Sequence, residues 1–205
     1  MESKKRNLII LISIVLVLMI TLIGFSFAYF AINNTVTNNL NTNVNIAGGN
    51  LVNFTVTGSG NLNVNVSGAN MLNGTINSVA GTNTTTLTVS LQSDDNITCT
   101  YDIVWSWNSG YNSYTKTTYS GNEFTVSGTS NQSQTLSEVQ LPNYSTSTTT
   151  LGSYSITANN TTTSQVWTFT GNFYNINANQ DNHAGHTYSG KIAIANSTCT
   201  PGGGS

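Results

Sequence analysis

The chain predicts an all-β protein: an antiparallel β-sandwich, jelly-roll-like, preceded by one N-terminal apolar helix. Three observations carry that prediction. Apolar and polar residues alternate in short runs, the period of strands with one buried face. Clusters of Asn, Gly, Ser and Thr separate the runs, as antiparallel turns require, and no crossover helix intervenes. Beyond Asn33 no stretch of ten or more residues keeps a helical period.

The elements follow in order. Lys4, Lys5 and Arg6 precede an uncharged run from Leu8 to Phe30. A basic start, an apolar stretch and the small-x-small triplet Ser26-Phe27-Ala28 describe a secretory signal peptide cut between Ala28 and Tyr29. The same run is long enough to span a bilayer, where roughly 20 apolar residues suffice. It would then leave the basic end inside and the remainder outside. Either way the rest of the chain is exported to the cell surface or beyond. The expected organisation is a signal peptide or membrane anchor over 1–30, one β-sandwich domain over 31–200, and a flexible Gly-rich tail over 201–205.

Within the domain, alternation marks strands at Val44 and Ile46, at Phe54 and Val56, at Leu62 to Val66, and at Leu87 to Leu91. Turns are expected at Ala47-Gly48-Gly49-Asn50, Gly58-Ser59-Gly60-Asn61 and Asn73-Gly74. The heaviest strand carries Cys99, Tyr101, Ile103, Trp105 and Trp107 on one face and ends at Asn108-Ser109-Gly110. Phe124 with Val126, Tyr154 with Ile156, Trp167 to Phe173, and Tyr188 to Ala195 supply the remaining runs. Trp105, Trp107 and Trp167 could stack against a sugar, but they lie on the apolar side of alternating strands and read as core.

Charge excludes one class of partner. The chain has 5 Lys plus Arg against 7 Asp plus Glu, and beyond the leader only Lys116 and Lys191 are basic. Nothing could neutralise a run of phosphates, so nucleic acid is not a partner. Charged residues make up 6% of the chain, against about 25% in ordinary soluble domains. Recurrent aromatic and β-branched residues, with only 2 Pro, separate this composition from that of a disordered chain.

Candidate sites are few. Cys99 and Cys199 are the only cysteines, and outside the membrane a pair most simply forms a disulfide. The competing reading is two free buried thiols. Cys199 has opposite parity to Ile192 and Ile194, so a bridge requires a bulge or bend after Ala195. His183 and His186, near Asp181, have the spacing of a partial metal site, but no further His completes it; the plainer reading is a polar loop. Asp94 and Asp95 lack the spaced acids of a calcium loop and read as a solvated turn. No His-Glu-x-x-His, Gly-x-Ser-x-Gly or phosphate-binding Gly-rich motif occurs, so no catalytic residue, metal or cofactor is expected. Asn53, Asn65, Asn73, Asn83 and Asn96 begin Asn-x-Ser/Thr triplets, which composition alone explains. A type IV pilin is excluded, since Gly24 comes at the far end of the apolar run and no acid lies inside it.

One resemblance adds to this. Ala28-Tyr29-Phe30 is followed by Asn33-Asn34-Thr35, Asn38-Asn39 and Asn45-Ile46-Ala47-Gly48-Gly49-Asn50-Leu51. This stretch of about 25 residues resembles camelysin and the TasA-like biofilm-fibre proteins of Gram-positive bacteria. Cys-Thr-Tyr-Asp-Ile-Val-Trp at 99–105 and Thr-Tyr-Ser-Gly-Lys-Ile at 187–192 resemble uncharacterised surface proteins of low-GC Firmicutes. The first resemblance implies a jelly-roll sandwich, signal-peptidase processing, and assembly into extracellular fibres. In such fibres one subunit's amino-terminal strand, here roughly Ala31 to Ile46, completes its neighbour's sheet. The metalloprotease label attached to camelysin relatives finds no matching ligand set here. The expectation is therefore an exported structural protein without catalysis or small-molecule substrate, held to the membrane if uncleaved. The alternative is a surface adhesin recognising glycan or protein through its loops.

Overall fold

The computed structural model describes residues 30–32, 40–45 and 51–201. The expected apolar helix, most of the leader with its Ala28–Tyr29 cut, and the Gly-rich tail beyond Pro201 lie outside the described residues. Among the described residues no helix is long and apolar enough to cross a membrane.

Nine strands form one antiparallel sheet among these residues. They are β1 (Phe30–Ile32), β2 (Leu40–Asn45), β3 (Leu51–Thr57), β4 (Asn61–Asn65), β5 (Val79–Trp107), β6 (Phe124–Ser130), β7 (Thr135–Gln140), β8 (Thr149–Tyr174) and β9 (Thr187–Pro201). One short helix, α1 (Gly68–Asn73), joins β4 to β5, capped by the Ser67 side chain, which accepts from the Asn70 amide. Gly74 closes that helix rather than a hairpin turn. The order across the sheet is β1-β9-β5-β8-β6-β7, with β2 and β3 joined to the first half of β5 and β4 to the start of β9.

Four runs read from the sequence as separate strands join into two long ones: Leu87–Leu91 with Cys99–Trp107 in β5, and Tyr154–Ile156 with Trp167–Phe173 in β8. At about 3.3 Å per residue, β5 with its 29 residues would measure about 95 Å if straight. A domain of this size has a radius of gyration of only about 16 Å, so β5 must bend. It does so at Asp94–Asp95. Ser93 pairs with Thr161 and Asn96 with Asn159, leaving two residues of β5 opposite the single Asn160 of β8. Asn160 takes φ 47° there, the left-handed conformation that Asn tolerates better than most residues. The two aspartates thus sit in a bulge, where a turn was expected, and bulges bend and twist a strand.

The bend folds the sheet into two facing layers. Tyr101, beyond it on β5, donates its hydroxyl to Gln165 Oε1 across the interior (2.6 Å) and accepts from Trp167 Nε1 (2.8 Å). Leu62 and Val64 of β4 lie over Gly171 of β8 and Gly81 of β5. Between the layers Trp105, Trp167, Tyr101, Phe124, Phe169 and Phe173 are all fully buried. Trp105 and Trp167 are therefore core, and Trp107 packs against it. Gly190 is required on β9, because a Cβ there would run into the Trp105 ring.

The cysteines form a disulfide. Cys99 of β5 pairs directly with Cys199 of β9. The parity conflict is resolved after Ala195, as the alternation requires. Asp102 pairs with Ala195 but Thr100 with Thr198, so Asn196 and Ser197 together face Tyr101. Asn196 adopts φ 50° to absorb the extra residue.

Candidate functional site

A polar cleft of about 680 Å³ opens at one end of the sandwich. One wall is the connection between β5 and β6, contributing Ser113, Thr115, Lys116 and Thr117. The other is the connection between β8 and β9, contributing Asn179, Asp181, Asn182, His183 and His186, with a single 3-10 turn at Asp181–His183. Both walls are irregular backbone, so something other than sheet pairing must hold them.

Glu123 does that. It stands immediately before β6 and is fully buried. Its Oε2 accepts from the Tyr114 hydroxyl (3.0 Å) and the Thr117 amide (2.9 Å), both on the first wall. Its Oε1 accepts from Gln180 Nε2 (2.9 Å) on the second wall and lies 3.5 Å from His183 Nε2. One carboxylate therefore ties both loops to the end of the core. The cost of burying it is offset by three donors and the neighbouring imidazole. Gln140 extends the arrangement, accepting from the Glu123 amide (2.6 Å) and donating to the Tyr114 hydroxyl (3.1 Å). Gln180 accepts in turn from the Ile176 amide (2.9 Å).

A chain of polar contacts runs from this carboxylate toward the cleft mouth. His183 Nδ1 is 2.5 Å from the Tyr188 hydroxyl, and His186 Nδ1 is 3.5 Å from the same oxygen. In its neutral form His183 satisfies both neighbours as the Nε2–H tautomer, facing Glu123 and accepting from Tyr188. Burial is the main influence on its pKa and lowers it; the Glu123 carboxylate opposes that shift and His186 adds to it. Burial, reinforced by the Glu123 charge, pushes the Tyr188 hydroxyl up to about 12, so Tyr188 stays protonated at neutral pH. Tyr114 is raised further in the same direction, by burial first and then by Glu123. Beneath the cleft Phe124, Phe173, Tyr188 and Tyr114 pack edge to face, tilted or stacked, giving the polar floor a rigid backing.

The structure brings His183, His186 and Asp181 to one cleft, but it divides their roles. His183 is buried and belongs to the floor, whereas Asp181 is exposed and His186 half-exposed. Among the described residues no group of three His, Cys, Asp or Glu side chains converges to hold a metal. Lys116 is fixed by donating to the Tyr119 carbonyl (2.7 Å). Sequence reasoning missed Glu123, Tyr114 and Gln180. Glu123 is flanked by Asn122 and Phe124 and carries no motif; only its position at the start of an apolar strand could have marked it.

No family model matches the chain, and no curated protein matches it. Among solved structures the chain is similar to a Ruminococcus gnavus GH29 fucosidase in complex with fucose, at 11% identity and TM-score 0.25. That match covers 71% of this chain and 25% of that one. It is similar also to TmCBM61 in complex with beta-1,4-galactotriose (6% identity, TM-score 0.23, 73% and 88% covered). A third is a Podospora anserina GH26-CBM35 beta-(1,4)-mannanase (12% identity, TM-score 0.25, 87% and 29% covered). At these TM-scores the likenesses carry no weight for function.

Proposed function

We propose that this is an exported surface protein that binds a small neutral saccharide in the cleft, without catalysis. The observation that carries the reading is the buried Glu123 carboxylate, which holds both cleft walls in place before any ligand arrives. Such prior ordering lowers the entropic cost of binding. The volume falls within the range of small-molecule sites. The lining sets Lys116 against Asp181 and is otherwise hydroxyl, amide and imidazole above the buried Glu123 carboxylate, so it offers mostly neutral donors and acceptors. That chemistry suits sugar hydroxyls better than a phosphate or a polyanion. The disulfide fits an oxidising location outside the cell.

The test is isothermal titration of the exported chain with soluble neutral oligosaccharides, beside His186→Ala and Asp181→Asn. Saturable heat, lost in both variants, supports the reading. Heat unchanged by both variants places binding elsewhere, and no heat with any sugar removes the cleft as a saccharide site.

A second reading is a structural subunit that assembles by strand addition. It rests on the resemblance of the amino-terminal segment; within this one chain β1 pairs with residues 197–199 of β9 and β2 with 51–56 of β3, both at sheet edges, and the reading requires that they exchange between copies. These strands come from the segment that resembles the fibre proteins, and the folded-over ribbon is in keeping with a jelly-roll-like wrapping. Deleting residues 30–45 would abolish assembly on this reading and leave it intact otherwise.

A further inference from the structure

The outer face of the layer formed by β3, β8, β6 and the first half of β5 is built almost wholly of hydroxyl and amide side chains. No charged residue occurs in 51–57, 82–93, 124–130 or 161–173. The outward positions stand in rows across the strands. Thr129 pairs with Thr168 and Thr168 with Thr86; Ser164 pairs with Ser90 and Ser90 with Thr55. Some neighbours bond each other, as Ser90 and Ser164 do at 2.9 Å. Rows repeat at about 4.8 Å across strands, and alternate residues at about 6.6 Å along them. Charge stands at the borders of this face among the described residues: Asp94 and Asp95 in the bulge that ends the first half of β5, and Glu138 of β7, which accepts from the Thr125 and Tyr174 hydroxyls.

Solvent faces of sheets ordinarily carry interspersed charges that keep copies apart. Here they are missing. We propose that the face docks onto the same face of a second copy of this chain. A two-fold interface places a surface against itself, so like charges would oppose it, whereas a hydroxyl is both donor and acceptor and is complementary to another hydroxyl. Threonine is stiff at χ1, so little side-chain freedom is lost on docking. Exposed Val166 in the middle strands adds apolar area. The face is twelve rows long and three strands wide, with β6 beside one end of β8 and β3 beside the other end of β5, which gives about 570 Å² per copy, or about 1,100 Å² in all. That lies below the range for stable specific interfaces and within that of weak, transient ones. The association is therefore weak and belongs to crowded chains on a surface. It depends neither on the cleft nor on the amino-terminal strands.

The test is sedimentation equilibrium of the exported chain over a wide concentration range, beside Thr86→Lys/Thr162→Lys. Both positions are exposed and are not cross-strand partners of each other. Far-UV circular dichroism and the intact disulfide report folding, and Thr86→Ala/Thr162→Ala serves as the milder second variant. The expected result is reversible self-association in the wild type that is insensitive to salt. The lysine variant should associate roughly tenfold more weakly, as opposed like charges repel, and added salt should partly restore it. A wild type that stays monomeric throughout overturns the proposal. So does association that the lysines leave unchanged, which would point to the amino-terminal strands. Depletion onto washed insoluble cellulose that the lysines abolish, without self-association, would make a neutral polysaccharide the occupant instead.

Discussion

At the scale of single residues, His183 and Gly190 make the sharpest commitments. His183 is buried beside Glu123, Tyr188, Tyr114 and His186, and its pKa is lowered chiefly by burial. The unfolded chain, with an ordinary histidine near 6.5, then takes up a proton before the folded chain does. Stability is accordingly full above pH 6.5 and falls as pH drops below it toward the lowered folded value. Thermal unfolding between pH 7.5 and 5 should show that decline, and His183→Gln should flatten it; an unaltered slope would assign the decline to other groups. Gly190→Ala should destabilise by about 1–3 kcal/mol, the cost of overpacking, because the new methyl meets the Trp105 ring. Denaturant unfolding measures it, and a neutral result would mean that the two layers separate more easily than their packing implies.

At the scale of elements, the disulfide and the bulges decide how β5, β8 and β9 lie together. Bridging residues 100 apart in sequence stabilises by at most about 4–5 kcal/mol on the chain-entropy account. Cys99→Ser/Cys199→Ser should lower stability within that limit. Amide exchange should quicken most in 198–201, which lie beyond the Asn196–Ser197 bulge; uniform quickening over the whole domain would contradict a local role. Much of this level was legible beforehand. Alternation marked the strands, and the parity of Cys199 against Ile192 and Ile194 called for the bulge that β9 contains. The continuity of β5 through Asp94–Asp95 was not legible, because adjacent aspartates break alternation in a turn and in a bulge alike. The pairing of Asn159 and Thr161 on a distant strand is what separates the two cases. The cleft was half legible: His183 and His186 stand close in sequence, but the carboxylate that fixes them lies 60 residues earlier, where nothing local marks it.

At the scale of the whole molecule, one ribbon of sheet folds over an aromatic core and leaves two surfaces of different character. One end carries a cleft whose irregular walls converge on a single buried carboxylate. The flat outer face carries hydroxyls in rows and almost no charge. The low charge of the chain thus coincides with a surface suited to neutral partners, whether sugars in the cleft or copies of itself. Glu123→Gln replaces one of the two acceptor oxygens with a donor, so at least one wall must lose its tie. It should weaken saccharide binding roughly tenfold or more while the disulfide and the sheet persist. The measurement that bears most directly on the account follows the imidazole resonances of His183 and His186 during titration of the exported chain with neutral oligosaccharides, in wild type and Glu123→Gln. The account predicts saturable shifts at His186, smaller ones at buried His183, and in the variant a midpoint at roughly tenfold or more higher sugar. Resonances that stay fixed at saturating sugar, or that shift identically in the variant, would contradict it.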